Sequence, residues 1–206
     1  MTAIDYGTDR RRLAGHKIAV LIESDFYEKE IFYYGYRFPE EGAELHFLTR
    51  LWDQPSLTFS GHDYKVPFDC HASFENMNDE TLRSYSAIIV PSAFVADRLR
   101  YSENLPELPP ATDFLRRAFA EPSIVKGIIC HGLWLLSRTP ELVRGRELVC
   151  HPNLYGDVLN MGARYVDNDV VVDGDLVTGR NGAAAGEFAR TIIDRVAART
   201  PQLTGA

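Results

Sequence analysis

No stretch of this 206-residue chain approaches the roughly 20 consecutive apolar residues that span a bilayer, and no apolar signal-peptide core precedes Gly15. No membrane partner is expected, and a cytoplasmic location is the default expectation. A basic surplus is missing too: 22 Lys and Arg stand against 29 Asp and Glu, a formal net charge of -7. Phosphate backbones are held by clustered Lys and Arg, so nucleic acid is not an expected partner. The one dense basic run, Arg10-Arg11-Arg12, reads as part of a solvated tail. Cysteine is scarce. Cys70, Cys130 and Cys150 are an odd number without paired ligand spacing, which argues against a disulfide framework and fits a reducing compartment. His62, His71 and Cys70 likewise lack a zinc spacing, so no metal is expected. What is present is an ordinary globular composition, 45% hydrophobic and 25% charged. The length suits one core: a polar lead over 1–15, one domain over 16–200 and a tail over 201–206.

Short apolar runs alternate with helical patterns. Lys17 to Ile22 is too brief for a helix and suits a doubly covered parallel strand. Ser24 or Asp25 can cap the next helix, Tyr27 to Phe38, before Pro39 and Gly42 punctuate it. Strands are expected at Leu45 to Thr49 and Ser86 to Val90, and a hairpin around Gly61 from Leu57 to Phe68. Tyr101 to Pro110 is Pro-rich and expected to be irregular. A helix over Thr112 to Ala120 leads to a strand over Ile124 to Ile129. Cys130-His131-Gly132 follows, and a helix restarts at Leu133. Short strands at Glu147 to Cys150 and Val170 to Val172 precede an amphipathic closing helix, Gly186 to Arg199. The fold class this implies is α/β, a three-layer sandwich around a mostly parallel sheet.

Such sheets gather function at the carboxyl ends of their strands. Cys130 falls there, between a strand and a helix, where unpaired N–H groups favour a thiolate and the sulfur becomes nucleophilic near neutral pH. Packing as a small buried hydrophobe is the alternative for a lone cysteine. Gly132 suits the sharp turn, as in the nucleophile elbows of hydrolases, although the upstream Gly127 is displaced from that pattern.

The Cys-His-Gly elbow between an Ile-rich strand and a Leu-rich segment resembles that of the ThiJ/PfpI superfamily, whose fold is flavodoxin-like and class I glutamine amidotransferase-like. The likeness runs from about Lys17 to Ile193. It includes Glu28-Lys29-Glu30-Ile31, Ile88-Ile89-Val90-Pro91, and the stretch from Val170 to Arg180. The resemblance implies that Glu30, with Glu28 as competitor, hydrogen-bonds the nucleophilic Cys130 and stays protonated beside it. It implies a proton-transfer or orienting role for His151, and for His131 the part of the histidine in a peptidase-like dyad, with Asp97 near the position of an acidic residue that a neighbouring subunit sometimes supplies. The backbone N–H groups of Ala93 and His131 would stabilise an oxyanion. Ser92-Ala93 replaces the usual Gly-Gly, so added Cβ atoms could block the flipped peptide or narrow the pocket.

The resemblance further implies a cofactor-independent enzyme in which Cys130 adds to a small electrophilic carbonyl compound, a glyoxalase or deglycase type of reaction or a related step of specialised metabolism. Amide or peptide hydrolysis through Cys130 and His131 is the second expectation. A redox-responsive chaperone or interaction protein, with Cys130 oxidised to sulfinate, is the third. A homodimer is expected as the commonest symmetric assembly. Several of Phe26, Tyr27, Phe32, Tyr33, Tyr34 and Tyr36 would serve the core, a pocket or that interface.

Overall fold

The computed structural model describes residues 11–199. Arg10 and the 201–206 tail lie outside the described residues. The chain runs β1 (Lys17–Leu21), α1 (Glu28–Glu40), β2 (Glu44–Leu48), β3 (Leu57–Ser60), β4 (Pro67–Cys70), α2 (Asp79–Arg83), β5 (Tyr85–Val90), α3 (Val95–Leu99), α4 (Pro110–Phe119) and β6 (Val125–Ile129). Cys130–Leu136 follows as a 3-10 helix. Then come β7 (Glu147–Leu148), α5 (Tyr155–Asn160), β8 (Arg164–Tyr165), β9 (Val170–Asp173), β10 (Leu176–Gly179) and α6 (Ala185–Ala197).

Six strands form the central sheet in the order β2-β1-β5-β6-β10-β9. All its neighbours are parallel except β9 and β10, which pair antiparallel, Val172 opposite Val177. Strands buried on both faces need continuous apolar sequence. Accordingly Ile18, Val20, Ile88, Ile89, Val125 and Ile128 are all sealed. On one face α6 packs so closely that a Cβ on Gly127 would stand 2.5 Å from Ile192 and 3.0 Å from Phe188. Glycine there is a matter of room, since its backbone is unremarkable. Chain direction reverses across the sheet between β1 and β5: β1 leads outward to β2 on one side and the chain returns to β5 on the other. Ligand crevices of open α/β sheets form at the carboxyl ends of strands flanking such a point.

The fold differs from the sequence expectations at its punctuation. Neither Ser24 nor Asp25 caps α1; Tyr27 occupies that position without a side-chain bond. Asp25, at φ +60°, instead takes Arg98 into an ion pair and donates its N–H to Ser60 O. Pro39 does not interrupt α1: it lies one residue from the end, so the backbone bond it forfeits is confined to the last turn. Gly42, at φ +88°, closes the helix. Helices α2, α3 and α5, of five or six residues, are too short to show a periodicity. The expected strand to Cys150 ends at Leu148. Arg12 is not solvated tail: it pairs with Glu41 and Asp194, while Leu13 is fully buried in the core.

Candidate active site

Strand β6 delivers Ile129 in extended geometry, and the next residue bends hard. Cys130 has φ +61°, a left-handed conformation that costs a non-glycine residue about 1–2 kcal/mol. Its neighbours hold it there. Leu133, Leu135 and Leu136 anchor the 3-10 segment in the core, and Gly132 makes the bend possible, since a Cβ on it would meet Ile128 at 2.8 Å and Val90 at 3.1 Å. The expected α-helix is a 3-10 turn instead. Its sulfur-facing donors are therefore individual N–H groups, not the end of a long dipole.

Two such groups face the sulfur, from His131 and from Ala93. Ala93 sits in the loop after β5 at φ +60°. Its Cβ does not prevent the left-handed turn, so the steric block expected from Ser92-Ala93 is not realised. These donors favour a thiolate, but burial outweighs them and, with Glu30 and Asp97 nearby, pushes the Cys130 thiol up to about 11. The expected thiolate at neutral pH is thus corrected. Cys130 is 7% exposed, and its thiol rests protonated.

Glu30 is the buried carboxyl beside it. Burial pushes its pKa up to about 7, against hydrogen bonds from Ser92 and Tyr34 that pull it down. The expected hydrogen bond from Glu30 to Cys130 is not formed. Ser92 takes its place, donating both its N–H, at 3.0 Å, and its hydroxyl to Glu30 Oε2. The other oxygen, Oε1, makes no well-aligned bond, and neither does the buried Tyr34 hydroxyl next to it. Glu28 has a different fate. Its carboxylate accepts from the N–H groups of Asp63 at 3.0 Å and Tyr64 at 2.7 Å, tying α1 to the β3–β4 hairpin.

The histidines converge. One ring nitrogen of His131, one of His151 and the Cys130 sulfur all lie within 4.8 Å of one another, and the two rings meet edge to face at 5.0 Å. Nδ1 of His131 stands 3.4 Å from Asp97 Oδ2 on α3, so the acidic partner belongs to the same chain. His151 Nδ1 accepts the N–H of Asn153 at 3.2 Å, and burial together with His131 lowers its pKa, keeping it neutral. Phe94 and Trp134 wall the His131 ring at 5.5 and 4.8 Å. No signal in the sequence marks either as a wall of the site, whereas Tyr34, four residues after Glu30 on the same helix face, is one of the α1 aromatics expected to serve the core, a pocket or an interface. His62 packs against Phe94 with the rings tilted, and the Cys70 thiol donates to Phe47 O.

The DJ-1/PfpI family profile matches residues 16–195. This chain belongs to the DJ-1/PfpI family. It is 30% identical over 164 residues to Deglycase PH1704 of Pyrococcus horikoshii, covering 80% of this chain and 89% of that protein. Among solved structures, Drosophila melanogaster DJ-1beta superposes with a TM-score of 0.72 at 18% identity, over 90% of this chain and 92% of that one. A two-domain protein of Anabaena variabilis with DJ-1/ThiJ/PfpI-like and ferritin-like domains gives a TM-score of 0.76 at 22% identity. The match spans 93% of this chain and 52% of that chain, about half its length. These structural likenesses establish the mostly parallel α/β fold. The pair Ser92-Ala93, expected to stand in place of a Gly-Gly, follows β5 at the site. The consequence is chemical: the serine hydroxyl is spent on Glu30.

Proposed function

We propose that this DJ-1/PfpI protein is a cofactor-independent enzyme that uses Cys130 to add to a small electrophilic carbonyl compound, of which an α-oxoaldehyde is the type. One observation carries the reading: a cysteine on a strained bend, faced by two backbone N–H donors, lies beside a buried carboxyl with a pKa near 7 and within 4.8 Å of two imidazole nitrogens. The deglycase name of its Pyrococcus relative supports the same chemical class. A nearly covered sulfur admits a small reactant more readily than a folded substrate.

The resting thiol must lose its proton as it reacts. Glu30, half ionised near neutral pH, is matched to that task, because a base works best with a pKa near the working pH. Sulfur bonds to the aldehyde carbon, the carbonyl π pair moves to oxygen, and the thiol proton passes through Glu30 to that oxygen, giving a hemithioacetal. The N–H groups of Ala93 and His131 stabilise the oxygen as charge develops. His131 or His151 then takes the C–H proton and returns it to the adjacent ketone carbon, while the hemithioacetal hydroxyl proton passes to the former ketone oxygen, leaving a thioester of a hydroxy acid. Water cleaves the S–C bond, the hydroxy acid departs and the thiol is restored. Aldehyde plus water becomes hydroxy acid with no external oxidant. Cys130→Ala should abolish hydroxy-acid formation from an α-oxoaldehyde panel while circular dichroism stays native; full turnover in that variant rejects the mechanism.

The His131–Asp97 approach at 3.4 Å favours a second reading, amide hydrolysis, in which Asp97 orients His131 as the base for Cys130. Acyl-type and aldehyde-type probes separate the two by which labels Cys130. A homodimer is proposed with the exposed Phe32 and Tyr36 of α1 as its apolar surface, to be checked by sedimentation. The cytoplasmic assignment is proposed alongside; no described helix is long and apolar enough to cross a membrane.

A further inference from the structure

Cys130, His131 and His151 are the one group of three or more metal-ligating side chains to converge among the described residues. Their chemistry is selective. A thiolate with two imidazoles suits zinc and its thiophilic neighbours, not magnesium or calcium. Three protein donors with a fourth position left open form an accessible zinc site, unlike the closed four-ligand structural kind. Zinc bond lengths place tetrahedral donors roughly 3.3–3.6 Å apart. The present separations, within 4.8 Å, therefore require a closure of at most about 1.5 Å. His151 is the part free to make it. It lies in the loop between β7 and α5, is only half-buried, and among the described residues its ring makes one hydrogen bond, accepted at Nδ1 from Asn153 N at 3.2 Å, which leaves Nε2 without a partner.

Two surroundings favour a cation. The charged side chains that act on the sulfur, Glu30 and Asp97, are both acidic. Asp97 also stands 3.4 Å from Nδ1 of His131, with neither atom holding another partner. With Nε2 as the ligand atom, that carboxylate stands behind the imidazole, the usual means of fixing its tautomer and raising its basicity.

We propose that Cys130, His131 and His151 bind one zinc-like divalent ion and that the ion reversibly inhibits the enzyme. The inhibitory half rests on the reading of Cys130 as nucleophile; the binding half does not. On binding, the Cys130 S–H bond breaks, its proton leaves to solvent, and the sulfur pair is shared with the metal. No electron changes hands. A sulfur so engaged cannot add to a carbonyl carbon until a chelator removes the ion.

The test titrates the reduced, metal-stripped full chain first with cobalt(II), then with zinc. Expected are one cobalt per chain with thiolate-to-cobalt charge-transfer absorption and the intense visible bands of four-coordination, all displaced by zinc. Cys130→Ala should lose the charge-transfer band. His131→Ala and His151→Ala should each weaken binding at least about tenfold, Asp97→Asn about 10–100-fold, and Cys70→Ala not at all. Absence of the charge-transfer band in the native sequence, or its survival in Cys130→Ala, overturns the site. Should those variants misfold, alkylation of Cys130 in the native chain decides: stoichiometric zinc must slow it at least about tenfold, and an unchanged rate overturns the proposal. Turnover of the metal-free protein keeps the readings apart. Activity without cobalt binding removes the metal site alone; cobalt binding without activity removes the catalytic reading alone. Zinc binding that leaves turnover intact removes the inhibition.

Discussion

Glu28 and Glu30 share the first turn of α1, both almost completely buried, yet they meet opposite environments. Two residues apart on a helix is about 200° of rotation, so one faces the β3–β4 hairpin and the other the Cys130 bend. At Glu28, burial pushes the pKa upward, but the N–H groups of Asp63 and Tyr64 outweigh it and hold the carboxyl below its usual range. At Glu30, burial wins and the pKa climbs to about 7. The first is an ionised strut and the second a proton carrier. The difference teaches that a carboxyl's role is set by the balance between desolvation and the donors that reach it.

The largest expected break in that comparison is kinetic. Glu30→Gln should lower kcat on an α-oxoaldehyde by about 10²–10⁴-fold, the usual contribution of a general acid or base, whereas Glu28→Gln should leave it within about threefold. Equal losses, measured on folded protein, would end the division of labour.

Stability against pH sharpens it next. Glu30 holds its proton more tightly folded than unfolded, so its contribution is fully present below pH 4.5 and is lost as pH rises to about 7. That window corresponds to about 3 kcal/mol. Urea unfolding at pH 4.5 and pH 8 should show Glu30→Gln gaining on the native chain by this amount at the higher pH. A constant difference would mean Glu30 titrates normally. Glu28 has a depressed pKa, and its stabilisation runs the other way, present above the unfolded pKa and lost as the solution is acidified.

Removing the strut should be costly at neutral pH and less so in acid. Glu28→Ala abandons two charge-assisted backbone bonds and should cost about 2–3 kcal/mol, read as a drop in denaturant midpoint. Gly61→Ala attacks the same contact from the far side, because its new Cβ would stand 2.1 Å from Glu28 Oε1; a loss of about 1–3 kcal/mol is expected. The smallest effect belongs to Ser92→Ala. Withdrawing the hydroxyl bond raises the Glu30 pKa further, so the ionisation seen in the pH–rate profile should move to higher pH with KM little changed. An unmoved profile would reduce Ser92 to packing.

Much of the frame was legible in the residues. Runs such as Ile88-Ile89-Val90 are apolar at every position because both faces of their strands are covered, and that pattern alone announces a parallel sheet. Cys130 and Gly132 were legible as a bend because a strand runs straight into them. The Glu30 assignment came with the family likeness, whereas its loss of the sulfur bond to Ser92 did not, since Ser92 lies 62 positions away. The meeting of His131 with His151 likewise joins a 3-10 turn to a loop on the far side of β7.

By itself, the sequence determined the alternation of strands and helices, the place of the bend and the roster of reactive side chains, because these follow from local periodicity and residue chemistry. Only the tertiary structure decided protonation. A thiol expected to ionise near neutrality is pushed to about 11, and one of two similar carboxyls is raised to about 7. Desolvation and donor alignment are properties of what packs around a group, and those neighbours arrive from distant parts of the chain.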